Sequence, residues 1–174
     1  MTLDTKKLLD ETNWQLLEAL QRNARLSYSE LGQQVGLTAP AVAERIRKME
    51  EQGIIRGYHA EVDLALLGLP IVALVRLVPA AGLHCRSLAS AASELPEVLE
   101  CYRMAGNDQV LVKVAATSIA HLDSVLDQLA VHGQPSTSIT FSQPTMHPVV
   151  THELLGQERK NMSTSSSRAL LMDE

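Results

Sequence analysis

The side chains with the most chemistry to offer are cations placed at helical spacing. Arg45, Arg47 and Lys48 fall close together, with Glu44 just before them and Arg56 a little further on. Guanidinium and ammonium groups neutralise phosphates, and an arginine can also donate two parallel hydrogen bonds to a guanine edge. Glu44 is the odd member: it either accepts from a cytosine amine or stands solvated. Ser27 with Tyr28, and Thr38 with Ala41, mark two helix starts, where free N–H groups and the positive end of the helix dipole suit a phosphate. The candidate nucleic-acid contacts are therefore Ser27, Tyr28, Thr38, Ala41, Glu44, Arg45, Arg47, Lys48 and Arg56. The plainer alternatives are that Ser27 and Thr38 only cap helices and that Arg45 only pairs with Glu50 or another carboxylate.

A second group could hold a small zwitterion. Backbone amides of the Gly106-Asn107-Asp108 turn can bind a carboxylate, Asp108 can pair with an ammonium group, and Thr137 and Ser138 add hydroxyls. The competing reading is an ordinary hairpin turn, since Asn-Asp is good turn chemistry. His84 beside Cys85 is the one pair that suggests a metal, and a single adjacent pair cannot supply four ligands, so none is expected. No nucleophile-elbow, zinc-protease or P-loop pattern occurs, and Asp123 and Asp127 read as a solvated helix face. An enzyme is therefore not the expectation, although fold alone never excludes one.

Composition limits the possibilities further. The 174 residues are 45% hydrophobic but only 3% aromatic, so the cores must be built from Leu, Val, Ile and Ala. No run approaches the ~20 apolar residues of a membrane span, and the N-terminus shows no secretory pattern. Two cysteines without a Cys-x-x-Cys spacing fit a reducing cytoplasm. Net charge is −5, and residues 1–61 carry 8 Lys/Arg against 9 Asp/Glu. Any nucleic-acid contact must come from local placement of a few cations rather than from a basic domain.

These side chains need elements to carry them. Leu9, Leu16, Leu17 and Leu20 form a helical stripe ending near Asn23. Ser27-Tyr28-Ser29-Glu30 has capping-box form, opening a short helix that Gly36 ends. Thr38 and Pro40 start a third helix, whose Val42, Ile46 and Met49 share a face and which Gly53 stops. Residues 54–56 and 58–62 then read as a short hairpin. Beyond a connector at 64–68, the pattern changes to strands at 69–78, 98–104, 109–115 and 137–142, with helices at 86–95 and 118–132 between them. That order, βαββαβ, is the ferredoxin-like plan. The first of these strands is apolar on both faces, with Val72, Leu74 and Val78 opposite the core side. Leu111 and Ala115 continue that second face, so a sheet-against-sheet homodimer is expected.

Taken together, Leu26 to Leu31, the Val35-Gly36-Leu37-Thr38 turn, Val42, Arg45, Ile46, Glu50 and the run Gly53 to Tyr58 resemble the Lrp/AsnC family of bacterial and archaeal regulators. The βαββαβ half, with Gly106-Asn107-Asp108 and Thr137-Ser138, resembles that family's sensor domain, and the likeness covers about residues 9–148. It implies an α+β chain: a winged helix-turn-helix over 1–61, a connector at 62–68, and a ferredoxin-like (ACT-like, RAM-type) effector and oligomerisation domain over 69–150. A mobile polar tail would occupy 151–174. It also implies a transcriptional regulator that binds double-stranded DNA, forms homodimers assembling to tetramers or octamers, and responds to a small-molecule effector, usually an amino acid. Two departures stand out. Asn13 replaces a usual Asp, and Pro135 replaces a frequent Thr beside the expected pocket, removing a hydroxyl and an amide donor. A metabolite-binding protein that no longer uses DNA, or an enzyme on an α/β plait, are the alternatives to test.

Overall fold

The computed structural model describes residues 8–106, 110–142 and 149–154. These form two compact units, which are taken one at a time: residues 8–60 with 149–154, and residues 61–142 as far as they are described.

In the first unit three helices surround one core. They are α1 (Glu11–Arg22), α2 (Tyr28–Val35) and α3 (Ala39–Glu51). Asp10 caps α1, its carboxylate accepting from the Asn13 amide at 2.8 Å. Ser27 caps α2 through the expected reciprocal box, giving to and receiving from Glu30. The core joins Leu16, Ala19 and Leu20 of α1 to Leu31 of α2 and Val42, Ile46 and Met49 of α3. Fully buried Leu and Ile side chains contribute about 1.5–3 kcal/mol each, and this core draws them from all three helices.

The α2–α3 turn depends on a close backbone approach. Gly32 is buried, and a Cβ there would lie 2.3 Å from the Leu37 carbonyl oxygen. The Gly32 carbonyl in turn accepts from the Leu37 amide at 2.9 Å. Gly36 completes the turn at φ 71°, in left-handed conformation with open space around it.

The expected hairpin at 54–62 is not formed: no strand occurs there, so this helix-turn-helix lacks the wing that the alternating sequence suggests. The cause is the end of α3. Gly53 donates to the Glu50 carbonyl and Ile54 to that of Met49, both at 2.9 Å, which is a Schellman motif. The motif turns Ile54, followed by Ile55, back onto the helical core. Residues 149–154 also differ from the mobile tail expected from 151. Val150 exchanges two hydrogen bonds with the Gln21 side chain (2.8 and 3.0 Å), and His152 stacks on Trp14 with ring centroids 5.3 Å apart. Residues 155–174 lie outside the described part.

The second unit is a four-stranded antiparallel sheet: β1 (Ile71–Pro79), β2 (Val98–Arg103), β3 (Val110–Ala116) and β4 (Gly133–Ile139), in the order β2-β3-β1-β4. Two helices, α4 (Cys85–Ser93) and α5 (Ile119–Ala130), cover one face. Ala73, Val75, Leu77, Val110, Val112 and Val114 meet Leu88, Ala89 and Ala92 of α4, and Leu122, Val125 and Leu129 of α5. This is the ferredoxin-like plan. On α5, Leu122, Val125 and Leu129 are buried while Ile119, in its first turn, is exposed.

The last strand begins earlier than its composition suggests. Gly133 is its first residue and not merely a helix stop, because a Cβ there would meet the Val78 carbonyl oxygen at 2.5 Å. Pro135 is tolerated opposite Leu77 because β4 is an edge strand.

Substituting Gly32→Ala should cost the first unit about 3 kcal/mol through forced backbone displacement, whereas Gly36→Ala should cost about 1 kcal/mol. Trp14 is the chain's one tryptophan and lies in this unit, so its fluorescence in a urea titration reads the effect directly. Equal midpoints for the two variants would contradict the close-approach account.

Candidate nucleic-acid interface and effector site

With Val42, Ile46 and Met49 turned into the core, α3 presents Glu44, Arg47, Lys48 and Glu51 outward. Tyr28 at the start of α2, Thr38 at the start of α3, and Arg56 beyond its end are exposed as well. Thr38 sits at the N-cap without a side-chain cap bond, which leaves its hydroxyl available. Ser27, by contrast, is committed: its hydroxyl donates to Glu30 Oε2 at 2.7 Å. Ala41 is half-buried and lines a shallow cleft of about 360 Å³ with Leu8, Asp10, Asn13, Glu44, Arg45 and Lys48.

Arg45 is not placed like the other cations. Its guanidinium points along α1, donating to Asp10 at 2.7 Å and to the buried Asn13 side chain at 2.9 Å. The Asn13 amide group donates in turn to the Leu8 carbonyl at 2.5 Å. Arg45 therefore ties α3 to the start of α1. Burial pushes the Asp10 carboxyl upward, but hydrogen bonds from Arg45 and the Asn13 amide, with the Arg45 charge, outweigh it and hold Asp10 below its ordinary range.

Glu44 gathers the remaining α3 cations. Arg47 donates to both of its oxygens at 2.7–3.0 Å, and Lys48 Nζ lies 3.4 Å away. Arg47 also pairs with Glu51. The Arg47 hydrogen bond is the main reason the Glu44 carboxyl sits below its usual range, so it is charged at physiological pH. At the other end of α3, Tyr58 donates to Glu50 at 2.9 Å; burial first and this bond second push its phenol up to about 12.

The second candidate site is dispersed. Gly106 follows β2 with φ 116°, a backbone state that favours glycine. Asn107 and Asp108 lie outside the described residues. Thr137 pairs with Val75 and Ser138 with Leu74, so the two hydroxyls project to opposite faces of the sheet and cannot serve one pocket on one face. Ser138 is on the uncovered face, where Leu74 and Val78 are each 40% exposed. That face is less uniformly apolar than its aliphatic residues suggest: Arg76 is exposed there, and Lys113 pairs with Glu100 at 3.1 Å. A second cleft of about 370 Å³ lies between α4 and α5, lined in part by Glu94, Gln128 and His132, away from all of these residues. Among the described residues, no three His, Cys, Asp or Glu side chains converge as a metal site would require.

Known proteins share both halves of this arrangement. A family model described as an AsnC-type helix-turn-helix domain matches residues 9–50, and one described as an Lrp/AsnC ligand binding domain matches residues 71–150. The chain belongs to the Lrp/AsnC family of transcriptional regulators. The HTH-type transcriptional regulator YezC of Bacillus subtilis is 36% identical over 140 residues, covering 80% of this chain and 99% of YezC. Among solved structures, B. subtilis LrpC matches at 32% identity with a TM-score of 0.74, covering 79% of this chain and 98% of LrpC. A Neisseria meningitidis transcriptional regulator, solved as a complex with L-Met, matches at 26% identity and a TM-score of 0.77, covering 84% and 99%. This Lrp/AsnC chain is thus a DNA-binding regulator with a helix-turn-helix and a ligand-binding domain. Its relatives are regulators rather than enzymes.

Sequence reasoning overlooked one cation of the helix-turn-helix and, while allowing a carboxylate partner for Arg45, did not identify it as Asp10. Arg25, exposed just before the α2 cap and three residues ahead of Tyr28, has no side-chain partner among the described residues. Its signal was available: a cation immediately ahead of a capped helix start. The Arg45–Asp10–Asn13 link spans more than 30 residues of chain and leaves no local pattern.

Because Asp10 has a depressed carboxyl pKa in the fold, its ion pair stabilises above the unfolded value of about 4 and is lost as pH falls through the folded value. Acid titration followed by Trp14 fluorescence should show wild type losing more stability below about pH 4 than Asp10→Asn, which can still cap α1. Superimposable acid limbs would remove the ion pair from the account.

Proposed function

We propose that this regulator docks the outward face of α3 in the major groove, with the start of α2 against the phosphate backbone. The observation that carries this reading is the division of α3 into a buried row, Val42, Ile46 and Met49, and an exposed charged row on an otherwise acidic chain. Tyr28, Thr38, Ala41, Arg47, Lys48 and Arg56 are assigned as contacts, and Arg25 joins them. Ser27 acts by fixing the start of α2. Arg45 is assigned to positioning α3 rather than to touching DNA. Exposed ion pairs contribute little to stability, so Lys48, only 3.4 Å from Glu44, can leave that carboxylate for a phosphate at small cost.

The same reading gives the second unit an effector and a partner copy. A second subunit covers the uncovered face of the sheet around Leu74 and Val78, matching Arg76, Lys113 and Glu100 with charges of its own. The effector is an amino acid, as supported by the L-Met bound to the Neisseria relative. From the β2 end at Gly106 to Ser138 on β4 there are three strand spacings, about 14 Å, before any distance along the strands is added. A single amino acid is shorter than that. A site using both the Gly106-Asn107-Asp108 turn and Thr137 or Ser138 therefore takes them from different subunits, which links effector binding to assembly beyond the dimer. A cytoplasmic location goes with this reading.

The combined variant Lys48→Ala/Arg56→Ala should weaken duplex binding in a gel shift. It should also flatten the dependence of log K on log salt by about 2, one phosphate contact for each lost cation. Unchanged affinity and slope would return the chain to the alternative of a metabolite-binding protein that does not use DNA. Thermal-shift titration with individual amino acids should give a concentration-dependent rise in melting temperature for at least one of them; no rise with any would remove the amino-acid assignment.

A further inference from the structure

Glu44 is an unexpected residue to find at the centre of a DNA-facing helix. A carboxylate there repels phosphates, and it is positioned to neutralise both cations beside it. Arg47 engages it through both oxygens at 2.7–3.0 Å, and Lys48 approaches to 3.4 Å. The spacing from Glu44 to Arg47 and Lys48 is three and four residues, so the contacts follow from helix geometry alone.

A guanidinium joined to a carboxylate in this way forms one unit with donors on one side and acceptors on the other. The major-groove edge of a G·C pair has the complementary arrangement: guanine offers O6 and N7 as acceptors, and the neighbouring cytosine offers its N4 amine as a donor. An A·T pair places its donor and acceptors differently, and a phosphate offers no donor at all. A G·C pair can therefore accept two parallel bonds from Arg47 and donate one to Glu44, whereas an A·T pair, with its donor between single acceptors, cannot take the bidentate arginine.

We infer that Glu44 is a specificity-determining residue: the Glu44–Arg47 pair reads one G·C base pair as a unit, and the same carboxylate keeps Arg47 from binding phosphates indiscriminately. This rests on α3 being the DNA-contacting helix. It goes beyond that reading by giving the acidic residue a role in discrimination rather than in affinity.

The test begins by selecting duplexes from a random pool with the full chain. Binding to the best duplex and to a scrambled duplex is then measured over a range of salt concentrations for wild type, Glu44→Ala and Glu18→Ala. Glu18 pairs with Arg22 on α1 and controls for the loss of one exposed carboxylate. Alanine is the stronger helix former, and Glu44 is exposed, so α3 should remain folded, which far-UV circular dichroism checks.

Wild type should require a G·C pair at one position for each α3 bound. Glu44→Ala should lose about 10-fold of the preference at that position. It should also bind the scrambled duplex several-fold tighter, with a salt slope steeper by about 1. Glu18→Ala should match wild type. The inference is overturned if Glu44→Ala keeps the G·C preference, or if its affinity for the scrambled duplex does not rise. Absence of salt-dependent duplex binding by wild type would be a different failure, that of α3 as the DNA-contacting helix.

Discussion

The helix-turn-helix depends on the absence of one carbon atom. The Leu37 carbonyl lies so close over Gly32 that a side chain cannot fit between them. That contact sets how near the start of α3 comes to α2, and hence which face of α3 meets Leu31 and Leu16. Once Val42, Ile46 and Met49 are buried, the helical period sends Glu44, Arg47 and Lys48 outward. Arg45, between the two rows, bonds instead to Asp10 and Asn13. Its usefulness is mechanical: it joins α3 to the capped start of α1, so the charged row has a rigid base.

The two units place their polar groups differently. In the first, the exposed Arg47 and Lys48 of α3 already face carboxylates of the same helix, so its outward face carries paired rather than free charges. In the second, helices cover one sheet face, while the other mixes Leu74 and Val78 with Arg76 and the Lys113–Glu100 pair. A mixed face of this kind disfavours indiscriminate sticking and favours a partner with matching charges. Both surfaces are built for selectivity ahead of raw attraction, consistent with a chain whose net charge is −5.

Much of this was legible in the residues. The capping box at Ser27, the glycine at 36, and the period of Val42, Ile46 and Met49 are local signals, and each was realised. So was the βαββαβ order, because alternating aliphatic strands and Leu-rich helices have different periods. The errors came where one residue type serves two purposes. Ile54 and Ile55 look like strand residues, yet the Schellman turn at Gly53 folds them onto the helices. Gly133 looks like a helix stop, yet it is glycine because the Val78 carbonyl passes over it. The effector residues were the least legible. Gly106 and Ser138 are set apart by strand order, which no local pattern specifies, and the Thr137–Ser138 dipeptide is divided between faces by the pleat.

The central claim is that α3 meets DNA with its charged row. Its most direct test is the amide spectrum of the isotope-labelled chain, recorded with and without a duplex that the protein has itself selected. If α3 binds as proposed, the largest shifts and the strongest added exchange protection fall at Thr38, Ala41, Glu44, Arg47 and Lys48, with Tyr28 close behind. Perturbation confined to β1–β4, with the α3 resonances unmoved at saturating duplex, would contradict it.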